Sequence, residues 1–274
     1  MLWWERAIVW CTGRGRVVGW ASGAIPPNGG ARVLQHQAAL EGRLDLAREI
    51  VSTKIGNQAT ILRRFGGGPQ VVAAIRELAR SALEAGTVDE LFGAEGKAAS
   101  MYFETFAGLL KEGKSRDIAS NFPGRVGRGA TDPLNVSLNY AYGMVLGEVT
   151  RAVLACGLDP HAGFLHSSGR NKPALALDLM EEFRAPLADA AILAAMNNGE
   201  IGDSSFTSVL GGARLSRIGQ RKVIAAVERR LSTEFTHPIF GYKLTWRRAI
   251  EVQVRMVLGV LDGTQPNFRG IRVR

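Results

Sequence analysis

The chain has 274 residues, 46% hydrophobic and 22% charged, the balance of a globular protein with room for a sizeable core. Its two cysteines, Cys11 and Cys156, form no CxxC motif, which excludes a disulfide scaffold and a cysteine zinc site and fits a reducing cytoplasm. No apolar run reaches membrane-spanning length, and the opening MLWWER is too short for a signal peptide. The net charge of +9 is unevenly placed: residues 214–274 hold 13 Lys and Arg against 4 Asp and Glu, and the rest of the chain is neutral. Such segregation points to a polyanion-facing surface, with nucleic acid as the partner. The plainer alternative is a solvated helix face with a loose basic tail.

In chain order, residues 6–20 read as two short strands around a turn at Thr12–Arg16, with β-branched and aromatic residues on either side of the glycines. IPPNGG at 25–30 reads as a linker. From Ala31 the apolar residues Leu34, Ala38, Leu44, Ala47, Val51, Ile55 and Leu62 recur at three- and four-residue steps, which predicts one long helix. Gly66–Pro69 ends it and lacks the Lys-Ser/Thr of a phosphate-binding loop. A second helix follows through Ala82 and stops at Gly86. Thr87-Val88-Asp89-Glu90 is a capping box that opens a helix predicted to reach Glu112, with Leu91, Ala98, Tyr102, Phe106 and Leu109 on its apolar stripe.

Glu95 lies on that same stripe. A buried carboxylate needs a cation, a proton or a strong hydrogen bond, so the sequence leaves it as a metal ligand or as the partner of a core arginine. Residues 113–131 read as a Gly- and Arg-rich loop with Arg116, Arg125 and Arg128. Asp132-Pro133 is a helix start, and the helix runs to about Cys156 with Asn135 and Asn139 on one face. Pro186–Asn198 continues helical, and Ser204–Phe206 is a short connection. Leu215–Leu231 is a basic helix with Arg217, Arg221, Lys222, Arg229 and Arg230. Thr245–Leu261 is the last helix, with Arg247, Arg248 and Arg255. The tail NFRGIRVR has no periodicity and reads as mobile.

The chain is organised around GLDPHAGFLHSSGRNKPALALDLMEEFR, residues 157–184. A loop carries His161 and His166, and a helix beginning near Pro173 carries Asp178, Glu181 and Glu182. His161 follows a proline in a turn and reads as structural. His166 differs, because Asp178 and Glu181 share the next helix face. One imidazole with two or three carboxylates favours Mn²⁺ or Mg²⁺ over structural zinc. The residues alone therefore point to a metal-dependent enzyme acting on a nucleic-acid backbone.

Five stretches in this order resemble the integrase family of CRISPR adaptation systems, the first of the CRISPR-associated proteins ("Cas one"): ARVLQHQAAL, LDLAREIVSTKIGNQATIL, LFGAEGKAASMYFETF, TDPLNVSLNYAYGMVLGEV, and the organising stretch itself. The resemblance implies metal ligands at Glu95, His166 and Glu181, with Asp178 as an auxiliary carboxylate. It also implies joining of a captured fragment's 3′-hydroxyl to a repeat by transesterification, DNA cleavage, double-stranded DNA as substrate, a small "Cas two" partner and a homodimer. It predicts a mostly α fold: residues 1–28 as the remnant of an N-terminal β domain, which puts the dimer in doubt, and residues 29–274 as a helical catalytic domain. Arg221, Lys222, Arg247 and Arg248 are the predicted DNA contacts. The rival readings are a transposon-type integrase with the same catalytic domain, and a non-enzymatic DNA-binding or assembly subunit.

Overall fold

The computed structural model describes residues 8–13, 15, 17–21, 29–166 and 172–273. The expected hairpin is present, with β1 (Ile8–Cys11) antiparallel to β2 (Val17–Ala21). Residues 1–7 lie outside the described residues, as does most of the predicted linker. The remainder is mostly helical, as expected. Among the described residues no helix is long and apolar enough to cross a membrane.

The predicted first helix is two: α1 (Gly29–Glu41) and α2 (Leu44–Arg64). Gly42 separates them at φ +78°, a left-handed turn that only glycine adopts without strain. The apolar spacing runs through this break because both helices bury a face against the same core. Helix α2 is the spine of the molecule, with Leu46, Ile50, Ile55, Ile61 and Leu62 fully enclosed. Helix α3 (Pro69–Glu84) packs antiparallel to it after the Gly-Pro turn.

Helix α4 (Val88–Phe106) is capped as expected by Thr87, whose hydroxyl accepts the Glu90 N–H at 3.2 Å. Glu90 reaches one residue further back than the capping box requires, accepting the Gly86 N–H at 2.7 Å. The helix ends at Phe106 and tightens into a 3₁₀ turn over 107–109, six residues short of Glu112. The loop that follows contains one short helix, α5 (Lys114–Ile118). Helix α6 (Pro133–Ala155) starts on the predicted Asp132 cap, which accepts the Asn135 N–H at 2.8 Å.

Helix α7 (Ala174–Phe183) is buried on nearly every side, and Arg184–Asp189 continues it as a wide π turn before α8 (Ala190–Asn197). Pro186 sits in that turn; lacking an N–H, it cannot continue a regular helix ladder. The sequence reading missed two hairpins here. β3 (Phe206–Val209) pairs with β4 (Gly212–Leu215), and β5 (Glu234–Thr236) pairs with β6 (Lys243–Thr245). Their strands are three or four residues long, too short for alternation to register. Helices α9 (Arg217–Leu231) and α10 (Trp246–Leu261) follow, capped by Ser216 and Thr245.

The tail contradicts the sequence reading: it is fixed rather than loose. Phe268 and Ile271 are buried. The Ile271 N–H donates to Glu182 Oε2 at 2.9 Å, and the Asn57 amide donates to the carbonyls of Ile271 and Glu182 at 2.9 and 2.8 Å. The Val273 N–H returns a bond to Asn57 Oδ1 at 2.9 Å. Side chains of α2 and α7 supply the partners that a helix or sheet would otherwise give, so no periodicity marks the segment.

Glu182 is the centre of this clasp. Burial pushes its carboxyl up from 4.5 to about 8, against the downward pull of the Ile271 N–H and the Gln253 amide. The native state thus retains a proton that the unfolded chain releases near pH 4.5. The stability it carries is fully present below that pH and is lost as pH rises through about 8. Urea midpoints measured from about pH 5 to 8.5 should fall with pH in the wild type. Glu182→Gln should flatten that fall by up to about 1.4 kcal/mol per unit; equal slopes would remove Glu182 as the cause.

Candidate metal centre

Three elements converge where α2, α4 and α7 meet. Lys54 stands in the buried stripe of α2, three residues from Val51 and four from Ile50. Its ammonium contacts Glu95 Oε1 from α4 and lies 2.7 Å from Glu181 Oε2 of α7. The Lys54 and Glu181 side chains are 11% and 2% exposed and that of Glu95 16%, so these charges meet largely out of water. Arg184, one turn along from Glu181, holds its other oxygen at 2.9 Å. Burial pushes the Glu181 carboxyl up, but Lys54, Arg184 and His166 outweigh it and hold the group below the ordinary carboxylate value. The Lys54 ammonium, disfavoured by burial, is held above its ordinary value by Glu181 and Glu95.

Asp178 organises the neighbouring loop. Its Oδ2 accepts the N–H groups of Phe164 and Leu165 at 2.6 and 2.9 Å, and its Oδ1 accepts that of His166 at 2.9 Å. The loop can approach this closely because Gly163 has no side chain: a Cβ there would stand 2.7 Å from Asp178 Oδ2. The same Oδ1 lies 2.6 Å from His166 Nδ1. An ionised Asp178 makes Nδ1 the protonated nitrogen, which leaves Nε2 as the ring's lone-pair donor. Asp178 by hydrogen bonding, aided by the charges of Asp178, Glu181 and Glu95, raises the His166 pKa against the opposing effect of burial.

The predicted residues are thus distributed as follows. Glu95 and Glu181 are brought onto one cation, the ammonium of Lys54; the partner of Glu95 is thus a lysine rather than a core arginine, while Glu181 also takes Arg184. His166 is pinned to Asp178 beside them. Among the described residues no three His, Cys, Asp or Glu side chains are gathered as a ligand set, because the ammonium stands between the two glutamates. The donor chemistry nevertheless fits a divalent ion. Two carboxylates from separate helices already point at a single positive charge. Glu181 Oε2 is buried and has ion-pair contact with Lys54 but no directed hydrogen bond. A loop imidazole with its Nδ1 occupied is the form in which histidine binds metal.

Sequence reasoning missed Lys54 and Arg184. The signal for Lys54 was available, since a lysine in the apolar stripe of a buried helix needs an acidic partner. A cavity of about 520 Å³ adjoins the centre, lined by Lys54, Arg125, Tyr142, Arg184 and Asp189 among others. Asp189, pushed up to about 6 by burial, accepts the hydroxyls of Tyr142 and Tyr102 at 2.6 and 2.9 Å. Arg125 and Arg184 both lie over the Tyr142 ring, at 4.8 and 5.1 Å. Asn135 and Asn139 hold Arg125 in place: their side-chain oxygens accept from it at 3.0 and 2.6 Å. The cavity therefore has two fixed guanidiniums and a ring face.

The four predicted DNA contacts differ in availability. Arg247 is held between Glu148 and Glu228 at 3.1 and 2.7 Å, and Arg248 lies 2.5 Å from Glu251. Arg221 is exposed, and Lys222 reaches Ser205 at 3.5 Å. His161 pairs with Asp159 at 3.2 Å in its turn, consistent with a structural role.

The family model described as CRISPR associated protein Cas1 matches residues 1–229. A CRISPR-associated exonuclease Cas4/endonuclease Cas1 fusion of Geobacter sulfurreducens is 36% identical over 274 residues, covering 96% of this chain and 49% of the relative. The CRISPR-associated endonuclease Cas1 3 of Thermus thermophilus is 38% identical over 251 residues, covering 90% of this chain and 73% of the relative. The chain spans about half the length of the fusion relatives. Two solved structures share the fold at 22% identity. A CAS1 protein from Thermotoga maritima has a TM-score of 0.78, covering 96% of this chain and 80% of that one. A casposase bound to integration product has a TM-score of 0.82, covering 98% and 75%.

Lys54→Met tests the ion-pair arrangement. Removing the ammonium leaves two buried carboxylates facing each other, a loss of about 3–5 kcal/mol, to be measured by urea unfolding in the presence of a chelator. An unchanged stability would show that the bridge does not hold the metal-free protein.

Proposed function

The chain belongs to the CRISPR-associated Cas1 family, and from that premise we propose that it is a divalent-metal-dependent DNA endonuclease and integrase that joins captured DNA fragments to a CRISPR array. The observation that carries this reading is the convergence of Glu95 and Glu181, from different helices, on one cation position beside a histidine oriented by Asp178. Glu95, Glu181 and His166 Nε2 would hold Mn²⁺ or Mg²⁺ there, with Lys54 displaced. When bound, the ion would polarise a phosphodiester and favour ionisation of the attacking water or 3′-hydroxyl.

The remaining roles belong to this chain's own residues. Asp178 orients the His166 ring and fixes the loop that carries it. Arg184 holds Glu181 by the oxygen that Lys54 does not contact, so that the carboxylate keeps its direction. Arg125 and Arg184, both at the adjoining cavity, suit the charge of a phosphate at the reacting strand. Joining forms one P–O bond to the incoming 3′-oxygen and breaks the P–O3′ bond of the target. The proton lost by the attacking hydroxyl is balanced by the one gained by the leaving 3′-hydroxyl. The reading carries with it double-stranded DNA as substrate, a small Cas2-type partner, a dimer, and a cytoplasmic setting. A transposon-type integrase shares the fold, but the relatives at 36% and 38% identity bear Cas1 names.

Metal-dependent strand joining and nicking should be lost on His166→Ala, with DNA affinity in chelator nearly unchanged. Asp178→Asn should retain metal binding but lower activity by about 10–100-fold, because it loosens ring orientation rather than removing a ligand. Wild-type turnover in His166→Ala would remove the histidine from the mechanism.

A further inference from the structure

A second cationic site lies at the far end of α2. Arg64 stands ten residues beyond Lys54, about 15 Å along the helix axis. It flanks Arg230 from the end of α9, and both line two adjoining cavities of about 430 and 450 Å³. The first also has Arg272, Glu234 and the ring faces of Phe235, His237 and Trp246 in its wall. Arginines outnumber carboxylates among the residues that line it. Arg272 is partnered by Glu49 at 3.3 Å, and Glu234 is the one carboxylate among the lining residues. Arg230 donates its Nε–H to the Pro186 carbonyl at 2.8 Å and lies over the Trp246 ring at 5.5 Å. Its terminal amino groups have no hydrogen bond among the described residues. Burial and the neighbouring Arg64 charge both lower its pKa, and an anion at its unbonded terminal amino groups would offset both.

His237 gives an independent pointer. It is buried, and its Nδ1 accepts the N–H groups of Ile239 and Phe240 at 3.2 and 3.3 Å. Nδ1 is therefore unprotonated and the proton of the neutral ring sits on Nε2. That N–H donor has no acceptor among the described residues, on a residue that lines the arginine-bearing cavity. Beyond it, the β5–β6 loop exposes Phe240 and Tyr242, side chains on which bases can stack.

We propose that Arg64, Arg230 and His237 form a second phosphate site, apart from the metal centre, that holds a phosphodiester of a bound nucleic-acid strand. The arginines supply the charge and the His237 Nε2–H a directed donor, while Trp246 and Pro186 fix Arg230. Of the basic residues in the last 61, Arg247 and Arg248 are already paired with glutamates, whereas Arg230 lines both cavities with its terminal amino groups unbonded among the described residues. This inference rests on the proposed activity on DNA.

The test is binding of a fluorescent duplex with a single-stranded end to the full chain in chelator, with affinity measured across salt concentrations. Arg64→Gln and Arg230→Gln should each lower the slope of log affinity against log salt by about one, and Arg230→Lys should restore it. His237→Phe keeps the ring stack but removes the donor; it should weaken binding about tenfold at an unchanged slope. The exposed Arg64 carries the test even if Arg230→Gln is unstable. Mn²⁺-induced shifts in melting temperature should match wild type in the Arg64 variant, separating this site from the metal centre. Binding by wild type with an unchanged slope in Arg64→Gln would overturn the site alone. A wild-type chain that binds no DNA would overturn the DNA reading and this site with it.

Discussion

Two acidic side chains facing one another largely out of water set the terms for the rest of this molecule. Glu95 and Glu181 come from helices with no sequence proximity, and each would be costly to bury alone. The Lys54 ammonium between them makes the metal-free arrangement tolerable. A +1 ammonium with three diffuse donors is nonetheless a poor match for four carboxylate oxygens, and Arg184 and the buried, undirected Glu181 Oε2 show the remainder. In the proposed reading, a site balanced in this way would take a doubly charged ion by exchanging one cation for another, without having to order the ligands afresh.

The surrounding fold serves to keep those directions. Helix α2 carries Lys54 at its middle, Asn57 one turn on and Arg64 at its end, so the proposed metal centre, the tail clasp and the arginine groove share one rod. Helix α7 has a similar double duty. Glu181 faces the cation, while its neighbour Glu182 grips Ile271 and Gln253 on the other side. The tail therefore packs behind the helix that positions a proposed ligand, and loosening it would relax that helix. Asp178, a turn earlier, ties down three successive loop amides and the histidine ring together. Few of these groups are free to move singly.

Much of this was legible in the residues. The capping of α4 and α6, the burial of Leu91, Ala98, Tyr102 and Phe106, and the placing of Glu95 on that stripe follow from spacing and caps. The association of His166 with Asp178 and Glu181 follows from helical periodicity and one loop. What escaped had specific causes. The α1–α2 break is a single glycine inside an unbroken apolar rhythm. The β3–β4 and β5–β6 hairpins are too short to show alternation. The tail is ordered by side chains 214 and 89 residues away in sequence, Asn57 and Glu182, and no local pattern reports such partners. Arg247 read as a DNA contact because its glutamate partners lie on other helices.

The central claim is that one divalent ion replaces the Lys54 ammonium between Glu95 and Glu181. Anomalous scattering from Mn²⁺-soaked crystals tests it directly. The account predicts a single strong peak at about 2.0–2.3 Å from oxygens of both glutamates and from His166 Nε2, with the Lys54 side chain turned away. Manganese bound elsewhere, with Lys54 still bridging the two carboxylates, would contradict it.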